Sequence, residues 1–179
     1  GLELQQTFSQ MVKEGVEVVV MEVSSQSLKL HRVDGCQFDI VLFTNFSEDH
    51  ISKNEHPDME DYFQSKLKLF HMCRVGIVNV DYIHGAKIPE MFPDSDITTY
   101  GIDNYAKVLA KDITITNSYV DFKVKITDRN ERVKTGIPGR FSVYNSLAAI
   151  CVAQKFGISP EVIKEALLQV RVPGRSELV

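Results

Sequence analysis

Two apolar runs of strand length, Val18–Val23 and Phe38–Phe43, constrain this chain more than any other feature. Each suits a strand buried on both faces of a parallel sheet. Each run then turns polar: the first carries Glu22 and continues into Ser24-Ser25, the second continues into Thr44-Asn45 and reaches Glu48, Asp49 and His50. If the two strands are parallel neighbours, these groups emerge together at the carboxyl edge of the sheet, where open α/β folds bind ligands. A carboxylate beside a hydroxyl pair and a histidine suits a hydrated divalent cation and a phosphorylated ligand. Two core strands with polar loops are the plainer reading of the same spacing.

The remaining pattern predicts an α/β fold: a mostly parallel sheet flanked by helices, with a small antiparallel sheet added. With 179 residues, one domain is expected, spanning 1–179. Leu4, Phe8, Met11 and Val12 lie near helical spacing, and Gly15 stands where a left-handed cap ends a helix. Met59, Tyr62, Phe63, Lys66, Leu67 and Phe70 share one helical face. Val75–Val80 and Asp96–Tyr100 read as strands, the latter after a turn-rich Pro89–Asp94. From Ala106 the pattern alternates: Val108–Thr116, Tyr119–Thr127 and Arg132–Thr135, with turns at Asn117-Ser118 and Asp128–Asn130, predict a three-stranded meander within 107–135. Helices are expected over Phe141–Phe156, capped by Gly157, and from Ser159-Pro160-Glu161 to Val170. The chain opens on a helix followed by a strand and closes on a linker-like Val172–Val179, so it reads as a fragment.

A formal net charge of −4 carries no polyanion-binding signature, so nucleic acid is not an expected partner. No run is apolar enough to span a bilayer, and the first residues carry no signal pattern. Cys36, Cys73 and Cys151 are odd in number and far apart, which argues against a disulfide framework or zinc site and for a cytoplasmic setting. Neither G-x-G-x-x-G nor G-x-x-x-x-G-K-[ST] occurs, so either ATP is not a ligand or the phosphate loop lies outside this chain. Glu22 is a cation ligand or a strand-end carboxylate, and His50 a ligand or a surface residue. His31-Arg32 either clamps an anion or is solvated. Lys66 is more telling. A lysine on an apolar helix face snorkels to water, or else burial lowers its pKa and the neutral amine can take up carbon dioxide as a metal-binding carbamate.

Taken in order, Met21-Glu-Val-Ser-Ser25, His31-Arg32-Val-Asp, Phe43-Thr-Asn-Phe-Ser-Glu-Asp-His50, Asp58-Met-Glu-Asp-Tyr62 with Lys66, Pro138-Gly-Arg-Phe-Ser-Val-Tyr-Asn145 and Val172-Pro-Gly-Arg175 resemble the central domain of a Mur ligase. The similarity is greatest to the type that adds the third peptide residue to UDP-N-acetylmuramoyl-L-alanyl-D-glutamate. The resemblance implies a truncated phosphate-loop-type domain and a cytoplasmic step of peptidoglycan synthesis. There ATP would phosphorylate the D-glutamate carboxylate and a diamino acid, lysine or diaminopimelate, would attack the acyl phosphate. By matching positions it implies that Glu22, His50 and a carbamylated Lys66 hold magnesium, with Lys66 and His50 serving catalysis. Ser24 and Arg32 would contact the UDP-muramoyl dipeptide, while Asn145 and Arg175 would contact ATP. A monomer without membrane attachment is expected, and a chain that does not ligate alone. Gln26-Ser27, Leu30 and Ser142 depart from the usual pattern, as does the stretch Glu48–His56. Another Mur ligase, a folylpolyglutamate synthetase-like ligase or an inert binding module remain the alternatives.

Overall fold

The computed structural model describes residues 1–46 and 56–172, which fall into two compact units. The first contains residues 1–39 and 56–73, the second residues 40–46 and 74–172.

The first unit is helical. Helix α1 (Leu2–Lys13) ends at Gly15, whose φ of 76° is the left-handed value the sequence called for. The Gly15 and Val16 amides donate back to the Val12 and Met11 carbonyls, which satisfies the last turn. Helix α2 (Ser25–Lys29) is short and was not anticipated; its cap is Ser24, whose side chain accepts from the Ser27 amide at 3.1 Å. Helix α3 (Met59–Leu67) is capped by Asp58, which accepts from the Asp61 amide at 2.8 Å, and runs on into a 3-10 turn over Lys68–Met72. The expected apolar stripe is present: Tyr62, Phe63, Leu67 and Phe70 are buried. A small core of Leu28, Val33 and Cys36 is covered by half-buried Leu4, Phe8, Met21 and Val23.

The first expected strand did not form. Residues 16–24 have no ladder pairing, and Val18, Val19 and Val20 are 59%, 46% and 93% exposed. An apolar, β-branched run reports a preference for a pleated, half-buried surface, but a strand also needs a neighbour to take its amides and carbonyls. No described residue supplies one.

The second unit holds two sheets. The first has strand order β1 (Phe38–Phe43), β2 (Cys73–Asn79), β3 (Asp96–Gly101) and β4 (Val108–Leu109), with β2–β3 and β3–β4 parallel. β1 starts in the first unit and ends in the second. Instead of being buried on both faces, β1 buries Val41 and Phe43, half-buries Ile40 and leaves Leu42 41% exposed. At the end of the strand order, it has a sheet neighbour on one side only among the described residues. Helix α4 (Ile83–Met91) runs through Pro89, where a turn was expected; fully buried Ile88 anchors it. α4 approaches the end of β2 so closely that a Cβ on Gly85 would sit 2.0 Å from the Asn79 carbonyl oxygen.

The meander is antiparallel as expected, but it starts later. β4 pairs with β3, and only after Ala110, whose amide donates to the Gly101 carbonyl, does the chain enter β5 (Lys111–Ile115), β6 (Val120–Ile126) and β7 (Arg129–Thr135). Alternation looks alike in either sheet, so periodicity alone could not divide Val108–Leu109 from Lys111–Ile115. A register shift between Lys111 and Thr114, with Asp112 at φ 49°, follows the handover. β6 turns Val120, Phe122, Val124 and Ile126 inward against helix α5 (Arg140–Lys155). Helix α6 (Pro160–Gln169) begins at its Ser159 cap as the sequence predicts and covers β7. The common core joins Ile77, Tyr100, Phe122, Val133, Val143, Leu147 and Ile150, each fully buried. All three cysteines are free.

Candidate functional site

In the first unit the side chains that carry chemistry meet between α2, α3 and the residue leading into α3. The Lys29 ammonium and the Nδ1 of His56 both lie 2.6 Å from the same Asp61 carboxylate oxygen. His56 Nε2 reaches the Ser25 hydroxyl at 2.8 Å. Asp61 is held below its ordinary value by the Lys29 hydrogen bond first and the His56 bond second. An ionised carboxylate only accepts, so His56 Nδ1 carries a proton. His56 is wholly buried, and its ring lies 5.1 Å from that of Tyr62. On the same helix the Lys66 ammonium stands 5.3 Å from the Tyr62 ring centre. Burial lowers the Lys66 pKa, opposed by the negative charge of Glu22. The lysine is therefore half-buried and easier to neutralise than a surface lysine, as expected of one on the apolar stripe.

The other predicted residues are placed less tightly. Glu22 is exposed in the unpaired segment rather than at a strand end, and it is coupled to Lys66 only through its charge. Ser24 is spent as the α2 cap and also lies 2.9 Å from the Ser27 hydroxyl. His31 adopts φ 55° and pairs with Asp34 at 2.9 Å, and Arg32 is exposed. His50 and Arg175, with Glu48 and Asp49, lie outside the described residues. Among the described residues no group of three His, Cys, Asp or Glu side chains forms a ready metal cluster. The donor chemistry still fits a hard cation: Glu22 offers carboxylate oxygens, and the Lys66 amine, easier to deprotonate than that of a surface lysine, would offer oxygens as a carbamate.

In the second unit Asn145 lines a cavity of about 280 Å³ formed by β7, α5 and α6, with Thr135, Ile137, Phe141, Ser142 and Leu167 around it. The Thr135 hydroxyl is buried and makes no hydrogen bond. A mostly apolar slot with an exposed amide and a few hydroxyls suits a flat heteroaromatic ring. At the carboxyl ends of β2 and β3, Asp81 accepts from the Ile102, Asn104 and Asp103 amides at 2.6, 2.8 and 3.1 Å and from the Tyr144 hydroxyl at 3.0 Å. Burial, the largest single influence, pushes Asp81 up, but these donors together hold it below its ordinary value. Tyr144 is pushed up to about 12, by burial and then by Asp81. With its oxygens so occupied, Asp81 is structural.

Sequence reading missed Ser25, Lys29, His56 and Asp61 as a group. The partners lie 31 or 32 residues apart across two helices, and no local spacing encodes that. The one available signal was a histidine directly before a Pro-Asp helix start.

The family model of the Mur ligase middle domain matches residues 1–153. The UDP-N-acetylmuramoyl-L-alanyl-D-glutamate–2,6-diaminopimelate ligase of Caldanaerobacter subterraneus subsp. tengcongensis is 49% identical over the whole chain. A solved structure of a ligase of that name superimposes on 97% of the chain and 37% of its own, with a TM-score of 0.87 and 25% identity. A MurF ligase from Thermotoga maritima, solved in complex with ADP, shares the fold over 85% of this chain and 35% of its own, with a TM-score of 0.64 and 16% identity. The chain spans 37% of the length of the Caldanaerobacter relative.

Proposed function

Because the chain belongs to the Mur ligase middle-domain family, we propose that it is the central segment of an ATP-dependent ligase joining a diamino acid to UDP-N-acetylmuramoyl-L-alanyl-D-glutamate. Identity of 49% along the entire chain to a ligase named for 2,6-diaminopimelate carries this reading and makes diaminopimelate the preferred amine. The reaction takes place in the cytoplasm, on a monomer. No described helix is long and apolar enough to cross a membrane.

The D-glutamate carboxylate attacks the terminal phosphorus of ATP, ADP leaves, the amine attacks the resulting acyl phosphate, and phosphate leaves as the amide forms. Acyl phosphate formation needs charge neutralisation and alignment. Glu22, His50 and Lys66 would hold magnesium, which supplies that neutralisation when bound. Lys66 takes part as a carbamate: its neutral amine adds to carbon dioxide, a nitrogen–carbon bond forms and a proton departs. The lowered pKa and half-buried setting of Lys66 support this role. Ser24 and Arg32 bind the muramoyl substrate. Asn145 holds adenine in the slot beside Thr135 and Phe141, and Arg175 would contact the nucleotide.

The test is ADP release by the full-length polypeptide carrying this chain, with UDP-muramoyl dipeptide and either diaminopimelate or lysine. Turnover is expected only with the complete diaminopimelate set, and none from residues 1–179 alone. A polypeptide that ignores the muramoyl dipeptide is some other ligase or no ligase, and the proposal falls. Lys66→Ala should abolish turnover, whereas Lys66→Arg, which keeps the charge but cannot form the carbamate, should rescue nothing.

A further inference from the structure

Three features of the first unit converge on one histidine that the proposed chemistry leaves without a role. His56 is 0% exposed, so its two ring nitrogens must find their partners within the fold. Both its ring nitrogens are engaged, one by Ser25 at the start of α2 and the other by Asp61 in the first turn of α3. Its ring also lies against Tyr62, over which Lys66 stands. Lys29, at the last position of α2, closes the loop by binding the same Asp61 oxygen. Each end of α2 is thus tied to the same turn of α3. One of these helices is capped by Ser24 and followed closely by Arg32; the other carries Lys66.

We infer that His56 is the positioning residue that holds the muramoyl-binding segment Ser24–Arg32 in register with the Lys66-bearing helix α3, through the chain Ser25–His56–Asp61–Lys29. The inference rests on the functional reading of Ser24, Arg32 and Lys66 above. Histidine suits the task because its two nitrogens face opposite ways on a rigid ring. One short side chain can therefore fix the separation between a hydroxyl and a carboxylate, where two flexible chains would leave slack. The direct Lys29–Asp61 pair cannot replace it, since both groups are about one-third exposed and a pair so placed is weak.

The two links can be cut separately. The amide nitrogen of asparagine occupies the place of histidine Nδ1, and that of glutamine the place of Nε2. His56→Asn therefore keeps the bond to Asp61 and loses Ser25, His56→Gln keeps Ser25 and loses Asp61, and His56→Ala loses both. In the full-length polypeptide, turnover, KM for the muramoyl dipeptide and thermal midpoint are followed together. The Lys66 carbamate is followed independently by its 13C resonance in 13C-bicarbonate.

We expect His56→Ala to lower kcat and raise the muramoyl KM together, with kcat/KM falling roughly 10–100-fold, the usual cost of removing a supporting hydrogen bond. His56→Asn should restore the carbamate resonance and kcat more than KM, and His56→Gln should restore KM more than kcat. The inference is overturned if His56→Ala leaves kcat, KM and the carbamate resonance unchanged. It is equally overturned if all three variants lose activity only in proportion to their thermal midpoints. Absence of the carbamate resonance in the unaltered protein defeats the reading of Lys66, and the inference with it. A resonance that is present but indifferent to His56 defeats the inference alone.

Discussion

The two units solve the same problem with different means. The second is held by an apolar core in which Ile77, Tyr100, Phe122, Val133 and Leu147 lose all contact with solvent. The first buries the small cluster Leu28, Val33 and Cys36 together with Tyr62, Phe63, Leu67 and Phe70 along α3 and its 3-10 turn, and also joins α2 to α3 with the polar chain Ser25–His56–Asp61–Lys29. Each unit also keeps a carboxylate below its ordinary value. Asp61 is held there by side chains, Asp81 mainly by backbone amides that outweigh its burial. An apolar core tolerates small displacements because dispersion and burial are undirected. A hydrogen-bonded chain fixes angles as well as distances, which suits the unit carrying the proposed catalytic lysine.

The comparison breaks first at Phe122. Phe122→Ala should cost about 3–5 kcal/mol of unfolding free energy in urea titration, as for other buried phenylalanines. A loss below about 1 kcal/mol would mean that the second unit does not depend on its apolar core. His56→Ala should cost less, about 1–3 kcal/mol for the polar groups left unpaired. Hydrogen exchange should place that loss in α2 and α3 and leave the β6 amides as protected as before. Exchange that rises equally in β6 would erase the distinction between the units.

A finer test uses two serine caps. Ser24 and Ser159 each accept from the amide three residues on. Replacing either with alanine should cost about 1 kcal/mol, but only Ser24→Ala should also raise the muramoyl KM. The smallest effect is in acid. Both carboxylates have folded pKa values below 3.8, so each contributes stability that is complete above the unfolded value and lost as pH falls through the folded one. Below pH 3.8 both units should therefore weaken. At roughly 1 M salt, where charges are screened over a few ångströms, the Asp61 contribution should shrink while that of Asp81 persists, as amide exchange in α3 and β3 can resolve.

What could be read from the sequence follows the same division. The helix ends at Gly15 and Ser159, the Lys66 stripe and the inward alternation of Val120, Phe122, Val124 and Ile126 were all legible, because caps and periodicity are local. The missing strand at Val18–Val23, the early handover at β4 and the helix running through Pro89 were not, because each is decided by a partner distant in sequence. The site divides likewise. Lys66 declared itself by lying on an apolar face, whereas His56 and Asp61 acquire their meaning only when α2 folds against α3.

The close approach of α4 to β2 bears on how this chain can vary over generations. A Cβ at position 85 would lie 2.0 Å from a backbone oxygen, which cannot swing aside as a side chain can. Every single-base change in a glycine codon that alters the protein either adds such a carbon or stops translation. Drift at Gly85 therefore has no neutral first step, and a lineage that loses this glycine must already have moved α4 away from the sheet.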